Sequence, residues 1–414
     1  VSAGEGERGL SDTEAAFAYT HALMRGSGRL TTSFTVRGTF APDRVERAVR
    51  RWLGRLPLLS LRITGADGGL CFRQGAPTGA HPLLTAPAGT DDEVAGERLW
   101  RLRAGPGPAG TTRFRLTLHP AICDAYSVGR VVRPLLDALF DTPGPDAADR
   151  ATEALPPDTD ELTYESGGCV CGVCGPGAAV AYRGGRGHGQ GRGDGRTSEA
   201  MAPGVVAVTL TPYESRRLRE WCRAGRVTVS GFLTTVLADA LARETGRAEV
   251  TVATAMSLRR RYAERTLIAE PGCVLGLVKA RLRAGAGGDA LGRARANAAV
   301  LCSAGRAWRP ERRAHAGIRH AVEREAKARG PEVRVVDAGS VDTALGPHAA
   351  RITGLRTVAA RGAGGGPGGS LYLSTFKGAL TAALSSHGLG ESWSARAERE
   401  LSEAALLRPA FSPL

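Results

Sequence analysis

Apolar positions along the chain recur with two periods, one of about 3.6 residues and one of 2. Ser11 to Met24 has helical spacing, with Ser11 or Asp12 placed to cap the first turn and Glu14 close behind. Leu30 to Phe40 alternates through Thr32, Phe34 and Val36 and predicts a strand. Pro42 opens a helix carrying Val45, Val49, Trp52 and Leu53. Leu58 to Ile63 and Leu70 to Phe72 read as strands around the turn at Gly65 to Gly69. Arg113 to His119 alternates again, and Ser127 to Phe140 predicts an apolar helix that Pro134 can bend. The polar segment His119 to Tyr126 is therefore a strand-to-helix turn, a frequent home for chemistry.

The pattern breaks between Pro143 and Pro203. This stretch has few large apolar residues and contains a Gly/Arg tract from Arg183 to Arg196. Such a composition cannot offset the entropy of ordering and predicts a linker or mobile loop. Periodicity then resumes. Strands are predicted at Val205 to Leu210, Val250 to Met256 and Val274 to Leu282. Four more follow at Val333 to Val336, Arg351 to Val358, Ser370 to Phe376 and Ala379 to Ser385. Helices are predicted at Pro212 to Cys222, Val229 to Arg243, Leu291 to Cys302, Pro310 to Arg329 and Glu391 to Leu407. The organisation that results is a lobe over residues 1–150, a Gly/Arg/Cys-rich connection over 151–203 and a second, loosely similar lobe over 204–414.

Composition changes this picture little. With 42% apolar and 23% charged residues the chain is ordinary globular material. No apolar run approaches the roughly 18 residues of a membrane span, and the polar start has no secretory h-region. No membrane partner and a cytoplasmic location are therefore expected. The net charge of +14 resembles a nucleic-acid signature, yet Lys279, Lys327 and Lys377 are the only lysines among 55 basic residues. An excess of Arg, Ala and Gly is what a GC-rich genome writes, and the arginines are scattered. No nucleic-acid partner is expected; the charge suits anionic partners instead.

Among eight cysteines, Cys71, Cys123, Cys222, Cys273 and Cys302 stand singly in apolar segments and read as buried free thiols. Cys169, Cys171 and Cys174 cluster with zinc-like spacing, and His188 could complete four ligands. That fourth ligand falls in the Gly/Arg tract, so the expectation is a loop with oxidisable thiols and no metal. His315 and His320 are five apart on a helix, which puts them on different faces. His387 reads as a surface residue.

The run Leu116-Thr-Leu-His-Pro-Ala-Ile-Cys-Asp-Ala-Tyr-Ser127 resembles the His-His-x-x-x-Asp-Gly signature of condensation domains and polyketide-associated acyltransferases. Further stretches share the resemblance: Leu10 to Glu14, Arg55-Leu-Pro-Leu58, Ser257-Leu-Arg-Arg260 and the late strand pair with its Ser374-Thr-Phe-Lys-Gly378 turn. The resemblance implies an α/β fold of the chloramphenicol acetyltransferase type, two lobes side by side, each a mixed sheet with flanking helices. It also implies secondary metabolism, with an actinobacterial source suiting the GC-rich composition. The substrate would be a phosphopantetheine or coenzyme A thioester, with no tightly bound cofactor. Partners would be an acyl or peptidyl carrier protein or CoA, and a small-molecule acceptor.

Carried over by position, His119 matches the first histidine, Asp124 the aspartate and Arg259 its ion-pair partner; these last two support the site. Ser127 sits where the family often has a serine opening the helix. Pro120 replaces the second histidine, the usual base, and Ala125 replaces the glycine. His119, Tyr126, Ser127, Ser374 and Thr375 are the candidate catalytic residues, the last two as hydroxyl donors to an oxyanion. Each also has a plainer reading: a packed imidazole, an aromatic filler, ordinary strand hydrogen bonding. Cys123 reads as a core filler. Three functions stay open: acyl or aminoacyl transfer to a hydroxyl or amine, a repurposed cavity catalysing cyclisation, isomerisation or cycloaddition, and a non-catalytic docking domain.

Overall fold

The structure is a computed structural model that describes residues 7–65, 69–75, 99–142, 158–164, 205–263, 270–285, 289–362, 365–389 and 391–406. The first half runs β1 (Glu7–Gly9), α1 (Asp12–Leu23), β2 (Leu30–Arg37), α2 (Pro42–Arg55), β3 (Leu61–Thr64), β4 (Cys71–Gln74), β5 (Trp100–Pro106), β6 (Thr111–Leu118) and α3 (Val128–Leu139). The second begins with β7 (Val205–Leu210), α4 (Pro212–Ala224), α5 (Val229–Thr245), β8 (Glu249–Ser257), β9 (Leu275–Arg283), α6 (Ala290–Ala307) and α7 (His315–Lys327). It closes with β10 (Glu332–Ser340), α8 (Asp342–Leu345), β11 (Ile352–Ala359), β12 (Gly368–Phe376), β13 (Ala379–His387) and α9 (Glu391–Leu406).

Local chemistry sets many of these boundaries. Ser11 accepts from the Glu14 amide while the Glu14 carboxylate takes the Ser11 amide, a reciprocal cap that starts α1. Thr211 and Glu214 repeat the device at α4. Gly246, at φ 63°, ends α5 in the left-handed conformation. The stretch from Leu58 departs from expectation: Pro57–Ser60 is a 3-10 turn, opened by Pro57, and the strand starts only at Leu61. The helix expected from Pro310 starts at His315. β5 was hidden from the pattern by Arg101 and Arg103, which hold its outward positions beside buried Leu102.

The strands form three sheets. One has the order β1-β4-β3, one β11-β2-β6-β5 and the largest β7-β13-β12-β10-β8-β9. In the largest, β10 is parallel to both β8 and β12, and the other pairs are antiparallel. α5, α6 and α9 supply the apolar cover of that sheet through Phe232, Leu237, Leu301 and Trp393. The core of the first half is built on Trp52, Phe34 and Phe114, with the two phenyl rings stacked at 5.2 Å. The Trp52 indole donates to the Val131 carbonyl at 2.8 Å and so locks α2 to α3.

Three findings go beyond the sequence pattern. β11 comes from the second half yet pairs along its length with β2 of the first, from Ile352 opposite Val36 to Ala359 opposite Leu30. Residues 158–164 lie within the expected linker but are packed: Thr159 is buried, and Tyr164 contacts Tyr262 and Trp308. Cys302, read as a free thiol, is disulfide-bonded, whereas Cys123, Cys222 and Cys273 are free and buried and Cys71 is free and half-buried. The Cys169, Cys171, Cys174 and His188 cluster lies outside the described residues. Among those described, no group of three or more His, Cys, Asp or Glu could hold a metal, and no helix is long and apolar enough to cross a membrane.

Candidate active site at the lobe junction

The signature turn joins β6 to α3. Its first residue is pinned by the chain itself: the His119 amide donates to Leu99 O at 2.7 Å, and the His119 carbonyl accepts from Ile122 at 3.2 Å. The Ala121 amide donates to His119 Nδ1 at 3.1 Å. A nitrogen that accepts cannot carry the proton, so neutral His119 holds it on Nε2. Burial, reinforced by the neighbouring His21, keeps the ring's pKa well below the usual imidazole range. His119 is thus a neutral donor whose acceptor nitrogen is already engaged.

Asp124 is fully buried and makes its carboxylate the centre of a clamp. Oδ1 accepts from the Ser127 amide at 3.0 Å, and Oδ2 accepts from Arg259 Nη1 at 2.6 Å and from the Val274 amide at 2.9 Å. Arg259 Nη2 donates to Ser127 Oγ at 2.7 Å and to Gly272 O at 3.2 Å. Ser127 Oγ also donates to Gly272 O and accepts from Gly272 N, each at 3.0 Å. Its one hydrogen and both lone pairs are therefore in use inside the clamp. The arrangement fastens a turn of the first half to the β8–β9 connection of the second. The ion pair expected between Asp124 and Arg259 is present, and Ser127 completes it.

The other candidates are more dispersed. Tyr126 is half-buried beside the clamp, its hydroxyl held by the Ser257 backbone; burial first, then Asp337 and Asp124, pushes the phenol above its usual range. Ser374 is buried on β12, on the face shared with Tyr372, whose hydroxyl donates to Ala125 O at 3.4 Å. Strand alternation turns Thr375 to the opposite face, where its hydroxyl accepts from Arg219 Nη2 of α4 at 3.3 Å. The Cys123 thiol is buried, which raises its pKa well above normal, with Asp124 adding to the effect and Arg259 opposing it. It is not a nucleophile in this state. His315 is a staple: its ring accepts from the Leu70 amide and faces Leu10 O.

Beside the turn lies a cavity of about 50 Å³. Phe17, Gly28, Pro120, Ala253, Ala255 and Ser370 are among its walls. Gly28 has φ +84°, and a Cβ there would come within 3.4 Å of Pro120. The Pro120 ring thus packs on a glycine turn, and the walls are mostly small and apolar. One side is charged. Arg334 donates to Glu332 at 2.6 Å and to Glu325 at 2.5 Å, and Arg361 donates to Glu332 at 2.8 Å. Glu332 is partly desolvated, but Arg334 and Arg361 more than offset that and bring its pKa down to about 2. A larger open groove of about 500 Å³, with Arg247, Arg281 and Arg329 around it, lies at the start of β8 and β10. Along β8 only two residues, roughly 7 Å at 3.3 Å per residue, separate its Thr251 wall from the cavity wall at Ala253.

Sequence reasoning missed two groups near the turn. Tyr372 carried no local signal, because its contact with Ala125 joins residues far apart in the chain. His21 lies near the end of α1, and its ring centre is 4.2 Å from that of His119. Only tertiary packing brings these two rings together.

No protein-family model matches the sequence, and no curated protein matches it. Solved structures do resemble the fold. Polyketide synthase associated protein 5 from Mycobacterium tuberculosis aligns over 100% of both chains with 16% identity and a TM-score of 0.61. The trichothecene 15-O-acetyltransferase of Fusarium sporotrichioides aligns over 98% of this chain and 96% of its own, with 12% identity and a TM-score of 0.68. The starter condensation domain of rhizomide synthetase, solved as a variant with C8-CoA and Leu-SNAC, aligns over 97% and 94%, with 14% identity and a TM-score of 0.61. At these identities the likeness is one of architecture. The chain therefore has the two-lobed, chloramphenicol acetyltransferase-like fold of condensation domains and acyltransferases of natural-product synthesis.

Proposed function

We propose that the protein transfers a short acyl group from a coenzyme A or carrier-protein thioester to a hydroxyl or amine of a small molecule, in the cytoplasm. The observation that carries this reading is the clamp of Asp124, Arg259 and Ser127, which holds the signature turn rigidly against the second half beside an apolar cavity. A fixed turn at a lobe junction is what orientation of two reactants requires. Asp124, Arg259 and Ser127 act as positioning residues. His119 offers its Nε2 proton to the oxygen of the thioester as negative charge develops there. Ser374 and Tyr126 are further candidates. The open groove with Arg247, Arg281 and Arg329 suits the phosphates of CoA or the acidic surface of a carrier protein.

The cavity of about 50 Å³ favours small acyl groups, because drug-sized pockets run to about 300 Å³ or more. The test is thiol release and acyl-product mass from acyl-CoAs of increasing chain length, with hydroxyl and amine acceptors. Release that declines with chain length supports the reading. Absence of release from every donor, CoA or carrier-bound, sinks it. The same small, base-poor cavity also favours a second reading, a unimolecular cyclisation or isomerisation directed by shape. Products of unchanged mass would identify that case.

A further inference from the structure

Strand register fixes the charged side of the cavity. Arg334 of β10 stands between Ala253 of β8 and Ser370 of β12, its direct partners across the ladder. Directly paired residues share a face of the sheet, and all three are walls of the cavity. The next row on that face, toward the signature turn, holds Val336 and Tyr372, and the Tyr372 hydroxyl reaches Ala125 O. Two residues of β12, roughly 7 Å at 3.4 Å per residue, separate the rows. The cavity thus runs from the turn to the Arg334–Ser370 pair.

The ion pairs around Arg334 use only part of its guanidinium. Nε donates to Glu332 and Nη2 to Glu325. Nη1 has no partner among the described residues, yet protein does not seal it in. Arg334 is 8% exposed and lines the cavity, so that open donor is offered to the cavity. The Ser370 hydroxyl is also without a partner among the described residues and unsealed, on a residue 3% exposed. Arg334, Arg361 and Lys279 face Glu332 and Glu325, three positive charges against two. One positive charge is left over at an apolar wall, where a small anion gains most from pairing. We propose that Arg334 Nη1 and Ser370 Oγ form a carboxylate subsite, so that one of the two reactants carries a carboxylate remote from its reacting atom. The inference rests on the acyl-transfer reading and deepens it by naming a substrate class. An acyl group derived from a dicarboxylic acid, or an acceptor that is itself a hydroxy or amino acid, presents this chemistry. The carboxylate accepts from both donors and takes no part in bond making. It anchors the reactant so that its reacting atom reaches the turn one row away.

The experiment uses the full chain and two matched pairs of probes, succinyl-CoA against butyryl-CoA for the donor and lactate against lactamide for the acceptor. Titration calorimetry gives affinities for wild type, Arg334→Gln and Ser370→Ala, and thiol release is followed alongside. The expected result is a preference of at least about tenfold for the carboxylate member of one pair, the size of a charge-assisted hydrogen bond. That preference falls to within about threefold in R334Q and drops at least about threefold in S370A. The pair that shows it identifies the reactant that carries the carboxylate. Wild type that binds both members of each pair within about threefold overturns the subsite. A full preference kept in folded R334Q also overturns it. Should R334Q fail to fold, because Glu332 and Glu325 lose a partner, S370A decides, since it touches none of the ion pairs; an unchanged preference there overturns the subsite as well. Wild type that keeps the preference yet releases no thiol refutes the transfer reading alone.

Discussion

Asp124 shows how a single side chain can decide the shape of a site without taking part in its chemistry. Its carboxylate is buried and meets three donors, so removing the charge leaves Arg259 unpaired in the interior. Breaking one partner of such a pair costs about 3–5 kcal/mol. Asp124→Ala should lower unfolding stability by that amount in a urea titration, and activity per folded molecule should fall as well, because the turn it positions is released. Ser127→Ala should cost less, about 1–3 kcal/mol, the desolvation of the partners it leaves behind. Asp160 offers a pH test of opposite sign. Burial first, then the charges of Asp12, Asp158 and Glu14, offset in part by a hydrogen bond from the Asp12 amide, raises its pKa to about 7. The folded state thus holds a proton that the unfolded state releases near pH 4. Stability from this group is present below pH 4 and is lost as pH rises to 7. Asp160→Asn should raise Tm at pH 8 and leave it unchanged at pH 4; an equal rise at both would refute the linkage. His119 and Asp124 were legible as a motif, and Arg259 followed from the resemblance. His21 was not legible, because nothing within its own helix marks a residue whose partner is about 100 positions away.

At the scale of elements, most boundaries could be read because period, cap and breaker agreed. α1, α4 and α5 each begin at a Ser or Thr whose side chain accepts from a first-turn amide. The failures share a cause. Pro57 stands where the apolar pattern continues but the backbone changes type, the charged stretch after Pro310 stays outside a helix that starts at His315, and at β5 arginine stems mask the alternation. The link between turns is tighter than any pattern suggests. A Cβ on Gly362 would fall 1.9 Å from the Met24 carbonyl oxygen, so the 360–362 connection runs directly against the turn after α1. Gly362→Ala must push the two segments apart. It should destabilise the protein by about 1–3 kcal/mol and loosen the glycine turn beneath Pro120. Unfolding midpoints read that cost, and amide exchange at Gly26 and Gly28 reads the loosening. An unchanged midpoint would mean that the loop yields freely.

For the molecule as a whole, what matters is how the two halves are joined. The fold class was legible through the resemblance of the signature turn and the stretches around it to a known family. The junction was not, since it depends on β11 leaving its own half to pair with β2. With that strand in place, opening the halves like a hinge would break a full β ladder, so substrates must reach the cavity along its length. Filling the walls should then block the reaction without harming the fold. Ala255→Val adds two methyl groups to a wall that encloses only about 50 Å³. Acetyl transfer should fall by at least about tenfold, while Tm moves by only a few degrees; unchanged transfer would place the reaction elsewhere. The same strand also sets a schedule for synthesis. β2 leaves the ribosome well before its partner, which is made roughly 320 residues later, about 16–65 s at 5–20 residues per second. Throughout that interval one edge of β2 is an open template whose alternating Thr and Phe residues could pair with another nascent chain. Expression limited to residues before Ile352 should therefore give aggregates rather than an independent half, and productive yield should rise when translation through the second half is fast or a holdase covers the waiting edge.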